Sequence, residues 1–307
     1  MFENPKKFPI LRLPTVASEQ VIRSMELRDM FILSLISTKA KALLNYSLPK
    51  NPKNHAHIKC SFLGRKNFDI LFFYGSDSVD VRLYYEQEQD HLARAGSYNS
   101  HKCHNILCKL WPRQDVAQAL LTHLAESFHT PKISMEFGDE ITPGAALMLL
   151  NHAKSLNLPM ERLALEAKKT PAEVYTAFLN EGPIAKQLVI VSEATPDFQY
   201  SPSEIFKLDR FHVFDGHWIH LQDFMECRSI VVYNKTSNCN MYCMNVQRLN
   251  EFFKVWLKSS WRLEYLQISV SHSQRLNFEE VTMGLNGTNF NRYVSKCGYR
   301  TGGWNEG

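Results

Sequence analysis

Apolar side chains recur at helical spacing over the first part of the chain. Val21, Ile22 and Met25 fall on one face of a first predicted helix. A second helix, for which Asp29 is the expected N-cap, is apolar on nearly all sides, and this pattern indicates burial on several sides at once. A third short helix begins at Ser37 or the next residue.

These helices carry more apolar surface than they can enclose. More than half of the positions from 8 to 46 are apolar. Segments of about 40 residues rarely fold without a staple or a partner, so three short helices cannot build a core that covers this surface. We therefore expect either the rest of the chain or another protein to cover the apolar surface of these helices.

After a proline-containing loop at 48–54, the pattern changes to short strands separated by helices. The predicted strands are 68–75, 80–85, 162–167, 187–192, 210–215, 229–234 and 265–270, and the predicted helices are 116–128, 145–156, 172–180 and 246–257. From about residue 140 the alternation of strand and return segment becomes loosely cyclic.

This alternation predicts a mixed α+β or α/β fold. A strand followed by a helical or extended return is typical of a leucine-rich-repeat-like solenoid, in which each unit buries its apolar side against its neighbours. The leucine-rich consensus is absent, so an irregular relative is expected, and a compact α/β layer fold is the alternative. The predicted organisation is a helical unit over 7–47, a connecting α/β region over 48–140 and an α/β body over 141–300.

Composition and charge narrow the function classes. The net charge of +4 is small and the basic residues are scattered, so neither nucleic acid nor an anionic membrane is an expected partner. No run approaches the roughly 20 apolar residues that span a bilayer. Seven cysteines, an odd number at irregular spacing, indicate reduced thiols, and we expect a cytoplasmic or nuclear protein.

Few residues have the spacing that chemistry requires. His101, Cys103, His104 and Cys108 resemble half of a zinc site, for which Cys227, Cys239 and Cys243 are the candidate second half. The alternative is a polar loop with buried thiols. Asp139 and Glu140 precede Thr142-Pro143, which is the pattern of a helix start rather than of a catalytic pair. Phosphate-loop and hydrolase motifs are absent, so no catalytic residue, metal or cofactor is expected.

The N-terminal segment resembles an F-box, in the form found in the large nematode F-box family. The match runs without gaps from Phe8 to about Tyr46. The residues that carry it are Leu13-Pro14, Val21-Ile22, Met25, Leu27, Phe31, Leu33-Ser34-Leu35, Ser37 and Lys39. The sequence departs from the usual pattern at Thr15 and Val16, where many F-boxes have acids, at Arg28, where proline is frequent, and at Ala40, where an aromatic is frequent.

The resemblance implies a partner for the uncovered surface. An F-box is a three-helix module that docks on the Skp adaptor of cullin-RING ubiquitin ligases, and amphipathic helices with excess apolar surface are typical ligands of a groove. The residues expected to bind the adaptor are Leu13, Pro14, Val16, Ile22, Met25, Leu27 and Met30. Those assigned to the core of the module are Val21, Phe31, Leu33 and Leu35.

A second resemblance covers about 208–285. Its segments WIHLQDF, CRSIVVYN, LNEFFKVWL, WRLEYLQISV and FEEVTMGL are similar to the type 2 F-box-associated domain of nematode proteins. The resemblance implies that this region recruits the target. Its aromatic residues fall at helix or strand spacing and are expected in the core rather than on a binding surface. They are Trp218, Phe252, Trp256, Trp261 and Tyr265.

Together the two resemblances imply a non-catalytic substrate receptor of a Skp–cullin–F-box ubiquitin ligase. The F-box would bind the adaptor, and the C-terminal body would hold an unidentified protein target. One alternative is a scaffold that uses the F-box to bind the adaptor without directing any target to degradation. Another is an enzyme or metalloprotein built on the cysteine–histidine cluster.

Overall fold

The computed structural model describes residues 10–48, 56–62, 67–74, 77–84, 103–109, 114–129, 131–139, 142–233, 245–269 and 278–285. The helices are α1 (Thr15–Ser24), α2 (Leu27–Ile36), α3 (Thr38–Ser47), α4 (Gln114–Ser127), α5 (Pro143–Ser155), α6 (Ala172–Glu181), α7 (Val246–Lys258) and α8 (Phe278–Thr282). The strands are β1 (His57–Phe62), β2 (Asn67–Tyr74), β3 (Asp77–Tyr84), β4 (Cys103–Lys109), β5 (Lys132–Gly138), β6 (Met160–Lys169), β7 (Ala185–Glu193), β8 (Arg210–Val213), β9 (Ser229–Tyr233) and β10 (Tyr265–Ser269).

The predicted α/β class and the three N-terminal helices are confirmed. Each predicted strand and each later predicted helix overlaps an element of the same type, whereas β1, β4 and β5 were not predicted. Ser37 caps α3 as expected, and its hydroxyl accepts a hydrogen bond from the Ala40 N–H at 3.1 Å. The prediction for Asp29 was wrong, because α2 begins two residues earlier, at Leu27.

All of these strands belong to one sheet, in the order β10-β9-β8-β7-β6-β5-β1-β2-β3-β4. From β5 to β10 the strands are parallel and lie side by side in chain order. When successive parallel strands are added at the same edge of a sheet by crossovers of the same handedness, the segments that connect them all lie on one face of the sheet. The boundary predicted at residue 140 falls between β5 and β6, which pair directly, so the sheet continues across it.

One face of the sheet forms the core. A row of in-register residues crosses six strands with no exposed surface: Cys60, Met135, Leu163, Leu188, Phe211 and Ile230. Aromatic contacts tie this face to the segments above it. Phe137 meets Phe178 of α6 with ring centroids 5.3 Å apart, and Phe72 meets Phe128, just after α4, at 4.4 Å.

The start of α5 confirms the helix signal seen at Thr142-Pro143. Thr142 is the N-cap, and its hydroxyl accepts a hydrogen bond from the Ala145 N–H at 3.3 Å. Pro143 occupies the first helical position, where the N–H that proline lacks would have no partner in the helix. Asp139, in the preceding turn, accepts a hydrogen bond from the Lys168 N–H. Its carboxylate therefore joins the ends of β5 and β6.

Candidate protein-docking surfaces

Apolar side chains face solvent at the start of α1. Leu11 is 37% exposed and Val16 is 72% exposed. Pro14, between them, is the exposed N-cap of the helix and fixes the direction in which the chain enters it. Exposed apolar residues that form a contiguous patch mark interaction sites more often than residues scattered singly.

Helix α2 is apolar on two sides. Its buried side includes Leu27 and Phe31, each 1% exposed. On the other side Ile32, Leu35 and Ile36 are 40%, 53% and 68% exposed. These three residues are spaced i, i+3 and i+4, so they lie next to one another on the helix surface. A helix of this kind buries one face in its own protein and leaves a second face for another contact.

The three N-terminal helices are joined to the body through α4. His123 contacts the Ser34 hydroxyl at 2.8 Å, and the same hydroxyl donates a hydrogen bond to the Phe31 carbonyl at 2.6 Å. Asn45 donates to the Glu126 carbonyl at 2.9 Å, and Lys41 forms an ion pair with the Glu126 carboxylate. Burial and the nearby Lys41 ammonium lower the pKa of His123, which favours the neutral ring. The helices are thereby held in one orientation on the body.

The second candidate surface is the face of the sheet opposite the core. Successive strand residues point to opposite faces, so the row beside the buried one points away from the core. That row is Ser61, Glu136, Ala164, Val189, His212 and Val231. Glu136, Ala164 and Val189 are buried, whereas the other three are half-buried. We call this face, which points away from the core, the open face. The aromatic contacts of the described residues place α6 and the end of α4 on the core side.

Three aromatic rings and an arginine lie together on the open face at β8 and β9. The ring of Phe214 lies 4.8 Å from that of His212 and 4.9 Å from that of Tyr233, and all three side chains are half-buried. We call these three residues the aromatic trio. Arg210 follows the same alternation on β8 and is exposed. Arg162 shares its row, two strands away, and forms ion pairs with Glu136 at 3.5 Å and with Glu166 at 3.4 Å.

The environment of His212 predicts acid sensitivity. Burial, with Arg210 and Arg162 nearby, lowers the pKa of this histidine from its ordinary value of 6.5 to about 4. Between these two pH values the unfolded chain binds a proton that the folded chain does not, so stability falls as the pH falls from 6.5 towards 4. Because the ring is partly exposed and therefore partly screened, we expect His212 to lower the free energy of unfolding by about 1–2 kcal/mol over this pH range.

This effect can be measured by urea unfolding of the wild type and of His212→Gln at several pH values across that window. The variant removes the titrating ring, so its free energy of unfolding should fall less on acidification than that of the wild type. Identical pH profiles for the two proteins would contradict the assignment. His220→Gln is the control, because it makes the same substitution at a half-buried histidine outside the open face.

Comparison with known proteins gives one distant relative. The chain is 21% identical over 280 residues to the Skn-1 dependent zygotic transcript 15 protein of Caenorhabditis elegans. The similarity covers 82% of this chain and 76% of that protein. No family model matches the chain, and no solved structure matches it.

The residues predicted to bind an adaptor are not all on the surface. Pro14 and Val16 are exposed, and Leu13 and Met25 are half-buried. In contrast, Ile22, Leu27 and Met30 are 0%, 1% and 6% exposed and belong to the core of this chain. Their assignment to an open surface is corrected, because they pack in the hydrophobic cluster that the helices share with the body.

The residues assigned to the core of the helical module also divide. Phe31 and Leu33 are buried as expected, at 1% and 8% exposure, and Val21 is half-buried. Leu35 is 53% exposed, so its assignment to the core was wrong. It belongs, with Ile32 and Ile36, to the exposed side of α2. The exposed Ile32 and Ile36 belonged to neither predicted set.

The aromatic residues of the C-terminal region follow the prediction in part. Trp218 and Phe252 are each 1% exposed, as expected of core residues, and Trp256 is half-buried with its indole N–H donating to the Leu263 carbonyl at 2.9 Å. For Trp261 and Tyr265 the prediction was wrong, because they are 42% and 47% exposed. Both lie near β10, the last strand of the sheet in this direction, where fewer neighbours cover them.

The described residues hold no group of three or more histidine, cysteine, aspartate or glutamate side chains suited to a metal ion. Cys103, His104 and Cys108 of the proposed zinc cluster lie in β4, whereas His101, Cys239 and Cys243 lie outside the described residues. Cys227 is buried, and burial raises the pKa of its thiol to about 12, so it is not a ready nucleophile. Among the helices that the structure describes, none has the length and hydrophobicity of a transmembrane span.

Proposed function

We propose that this chain is a non-catalytic substrate receptor of a Skp–cullin–F-box ubiquitin ligase. The N-terminal helices are proposed to be an F-box that docks on a Skp-type adaptor, and the body is proposed to be an irregular leucine-rich-repeat-like unit that holds a target protein. The observation that carries the proposal is the exposed apolar side of α1 and α2, within the segment that resembles an F-box.

Exposure refines the residues proposed to contact the adaptor. Pro14 and Val16 at the start of α1 remain in the set. Ile32, Leu35 and Ile36 at the end of α2 join it, since they are exposed and adjacent. Adaptor grooves take the apolar face of a helix through residues at this spacing. The buried Ile22, Leu27 and Met30 act indirectly, by holding the helices in place.

The joint between the helices and α4 supports a mechanism that depends on position. A receptor of this kind accelerates transfer of ubiquitin by holding target lysines near the conjugating enzyme, and the rate follows from effective concentration and orientation. The contacts of Ser34 with His123 and of Asn45 with Glu126 limit rotation of the body relative to a docked adaptor. A fixed geometry raises effective concentration more than a flexible link does.

The proposal predicts that acidic substitutions on the exposed apolar side abolish adaptor binding. The variants are Val16→Asp and the double substitution Leu35→Asp with Ile36→Asp. A carboxylate placed in an apolar interface loses its hydration, so we expect each variant to bind the adaptor at least about a hundredfold more weakly. The measurement is a titration of purified Skp-type adaptor against the full chain, with circular dichroism to confirm that the fold is retained.

Val255→Asp supplies the matched control. Val255 is 48% exposed on α7, so the substitution introduces the same charge at an exposed apolar position outside the N-terminal helices. It should leave adaptor binding unchanged. If all the variants bound the adaptor as the wild type does, or if the wild type failed to bind it, the proposed function would be rejected.

A further inference from the structure

The open face of the sheet offers the body a surface for a target protein. It carries apolar residues that the described helices leave half-exposed, among them Val191, Phe214, Val231 and Tyr233. Apolar groups grouped on a surface and rimmed by polar residues are typical of protein-binding sites. The following inference rests on the proposed function, because it names the chemistry of the target that the body would hold.

Four charged side chains on this face pair with one another. Glu136 pairs with both Lys59, at 3.0 Å, and Arg162, at 3.5 Å, and Arg162 also pairs with Glu166 at 3.4 Å. The two carboxylates are therefore shared between two cations. Arg210 has no ion pair among the described residues, and it stands at the aromatic trio. The Arg210 guanidinium is therefore available to a ligand beside the most aromatic part of the face.

The histidine of the trio adds to this polarity. Its Nε2 atom is buried and has no hydrogen-bond partner among the described residues. Arg210 and Arg162 both act electrostatically on the ring, and their field disfavours a further positive charge there. A cationic ligand would meet the same repulsion, whereas a carboxylate would be attracted and would neutralise Arg210.

We propose that the trio of His212, Phe214 and Tyr233, together with Arg210, binds an acidic segment of the target protein. A carboxylate of the target pairs with the Arg210 guanidinium, and a neighbouring apolar side chain packs on the aromatic rings. Arginine suits this role because its planar fork of N–H groups matches a carboxylate. A nucleic acid is the weaker candidate, because backbone binding needs several uncompensated cations, and Lys59 and Arg162 on this face are paired.

The probes are three fluorescein-labelled peptides of equal length that alternate leucine with glutamate, with glutamine or with lysine. Anisotropy titrations with the full wild-type chain should give the glutamate peptide at least a tenfold lower Kd than the glutamine peptide, with no binding of the lysine peptide. This comparison uses only the wild-type chain, so it does not depend on the folding of any variant. Equal binding of the glutamate and glutamine peptides would overturn the proposal.

Variants then locate the site. Arg210→Glu should weaken binding of the glutamate peptide at least tenfold, and Phe214→Ala should weaken it at least threefold. Lys254→Glu is the control, because it makes the same change of charge at an exposed position of α7. The proposal fails if Lys254→Glu weakens binding as much as Arg210→Glu, which would indicate a general field. It also fails if a single-stranded oligonucleotide binds the chain more tightly than the glutamate peptide does and loses this binding in Arg210→Glu.

Adaptor binding separates this proposal from the proposed function. Arg210→Glu should bind the Skp-type adaptor as the wild type does, because Arg210 lies on the body. If the wild-type chain bound the adaptor but did not prefer the glutamate peptide to the glutamine peptide, only the proposed target site would be rejected. Peptide binding that depends on Arg210, in a chain that does not bind the adaptor, would reject the ligase assignment and keep the acidic-segment site.

Discussion

Replacement of Asp215 by alanine is expected to lower the free energy of unfolding by about 3–5 kcal/mol. Asp215 and His217 are buried side by side after β8, each with a side chain 4% exposed. The His217 Nδ1 lies 3.1 Å from one Asp215 oxygen, and the other oxygen accepts a hydrogen bond from the Ala194 N–H at 3.1 Å. The substitution leaves both the ring and this N–H without a partner.

The second ring nitrogen of His217 is held as well. His217 Nε2 lies 3.1 Å from the Thr195 carbonyl, which can only accept a hydrogen bond, so Nε2 donates to it. Both ring nitrogens therefore have a polar partner in a buried site. Removal of the Asp215 carboxylate would leave Nδ1 and the Ala194 N–H unpaired there, and an unpaired buried polar group costs stability.

This pair fixes the path of the chain between β8 and β9. It links the loop after β7, at Ala194 and Thr195, to the turn that brings Trp218 into the core. A Cβ atom at Gly216 would clash with Val232 Cγ1, so the turn lies directly against β9. Trp218 then packs edge-on against Tyr175 and Phe198, with ring centroids 5.6 Å away in each case.

Urea unfolding followed by circular dichroism measures the effect of Asp215→Ala. Asp209→Ala is the control, since Asp209 pairs with Arg262 at the surface, where both side chains are more than two-fifths exposed. Such exposed pairs contribute about 0–1 kcal/mol. If Asp215→Ala cost no more than Asp209→Ala, the pair would have no special role in holding this turn.

The class of fold follows from local pattern. Runs such as QLVIVS are rich in β-branched residues and became β7, and amphipathic runs such as LNEFFKVWL became helix α7. Three strands escaped prediction. In β5, KISMEFG, the polar Ser134 and Glu136 alternate with apolar residues and are themselves buried, at 5% and 8% exposure. Their burial depends on neighbouring strands that are distant in sequence.

The division of α2 into a buried and an exposed side illustrates a different limit. Because apolar residues surround this helix, its own periodicity gives no preferred face. The face is chosen by tertiary contacts, chiefly with α3, β3 and the His123 side chain of α4. The sequence therefore indicated that these helices cannot enclose all of their apolar surface. It did not indicate that Leu35 and Ile36 would be exposed while Leu27 and Met30 would be buried.

The open face could not be located from the sequence for a related reason. Its residues come from separate strands, and their proximity depends on strand order and register. The one local signal was RFHVFD, in which Arg210, His212 and Phe214 alternate with the buried Phe211 and Val213. Alternation assigns these three residues to a common face, but it does not show which strand lies beside them or whether a helix covers them.

A final prediction concerns how tightly the N-terminal helices are joined to the body. Phe31→Ala is expected to lower the free energy of unfolding of the whole chain by about 3–5 kcal/mol, the usual cost of truncating a buried phenylalanine. Phe31 is 1% exposed and belongs to a hydrophobic cluster that contains Leu121 and Phe128 as well. Because one cluster joins the helices to the body, we expect a single cooperative transition.

Tryptophan fluorescence makes this test specific, since all five tryptophans lie beyond residue 100 and report on the body rather than on the N-terminal helices. A shift of the fluorescence midpoint in urea by Phe31→Ala would show that the two parts unfold together. Ile36→Ala, in the same helix but 68% exposed, should change the free energy of unfolding by less than about 0.5 kcal/mol. An unchanged midpoint for Phe31→Ala would mean that the helices unfold independently, and the body would then lack the fixed orientation on which the proposed receptor mechanism depends.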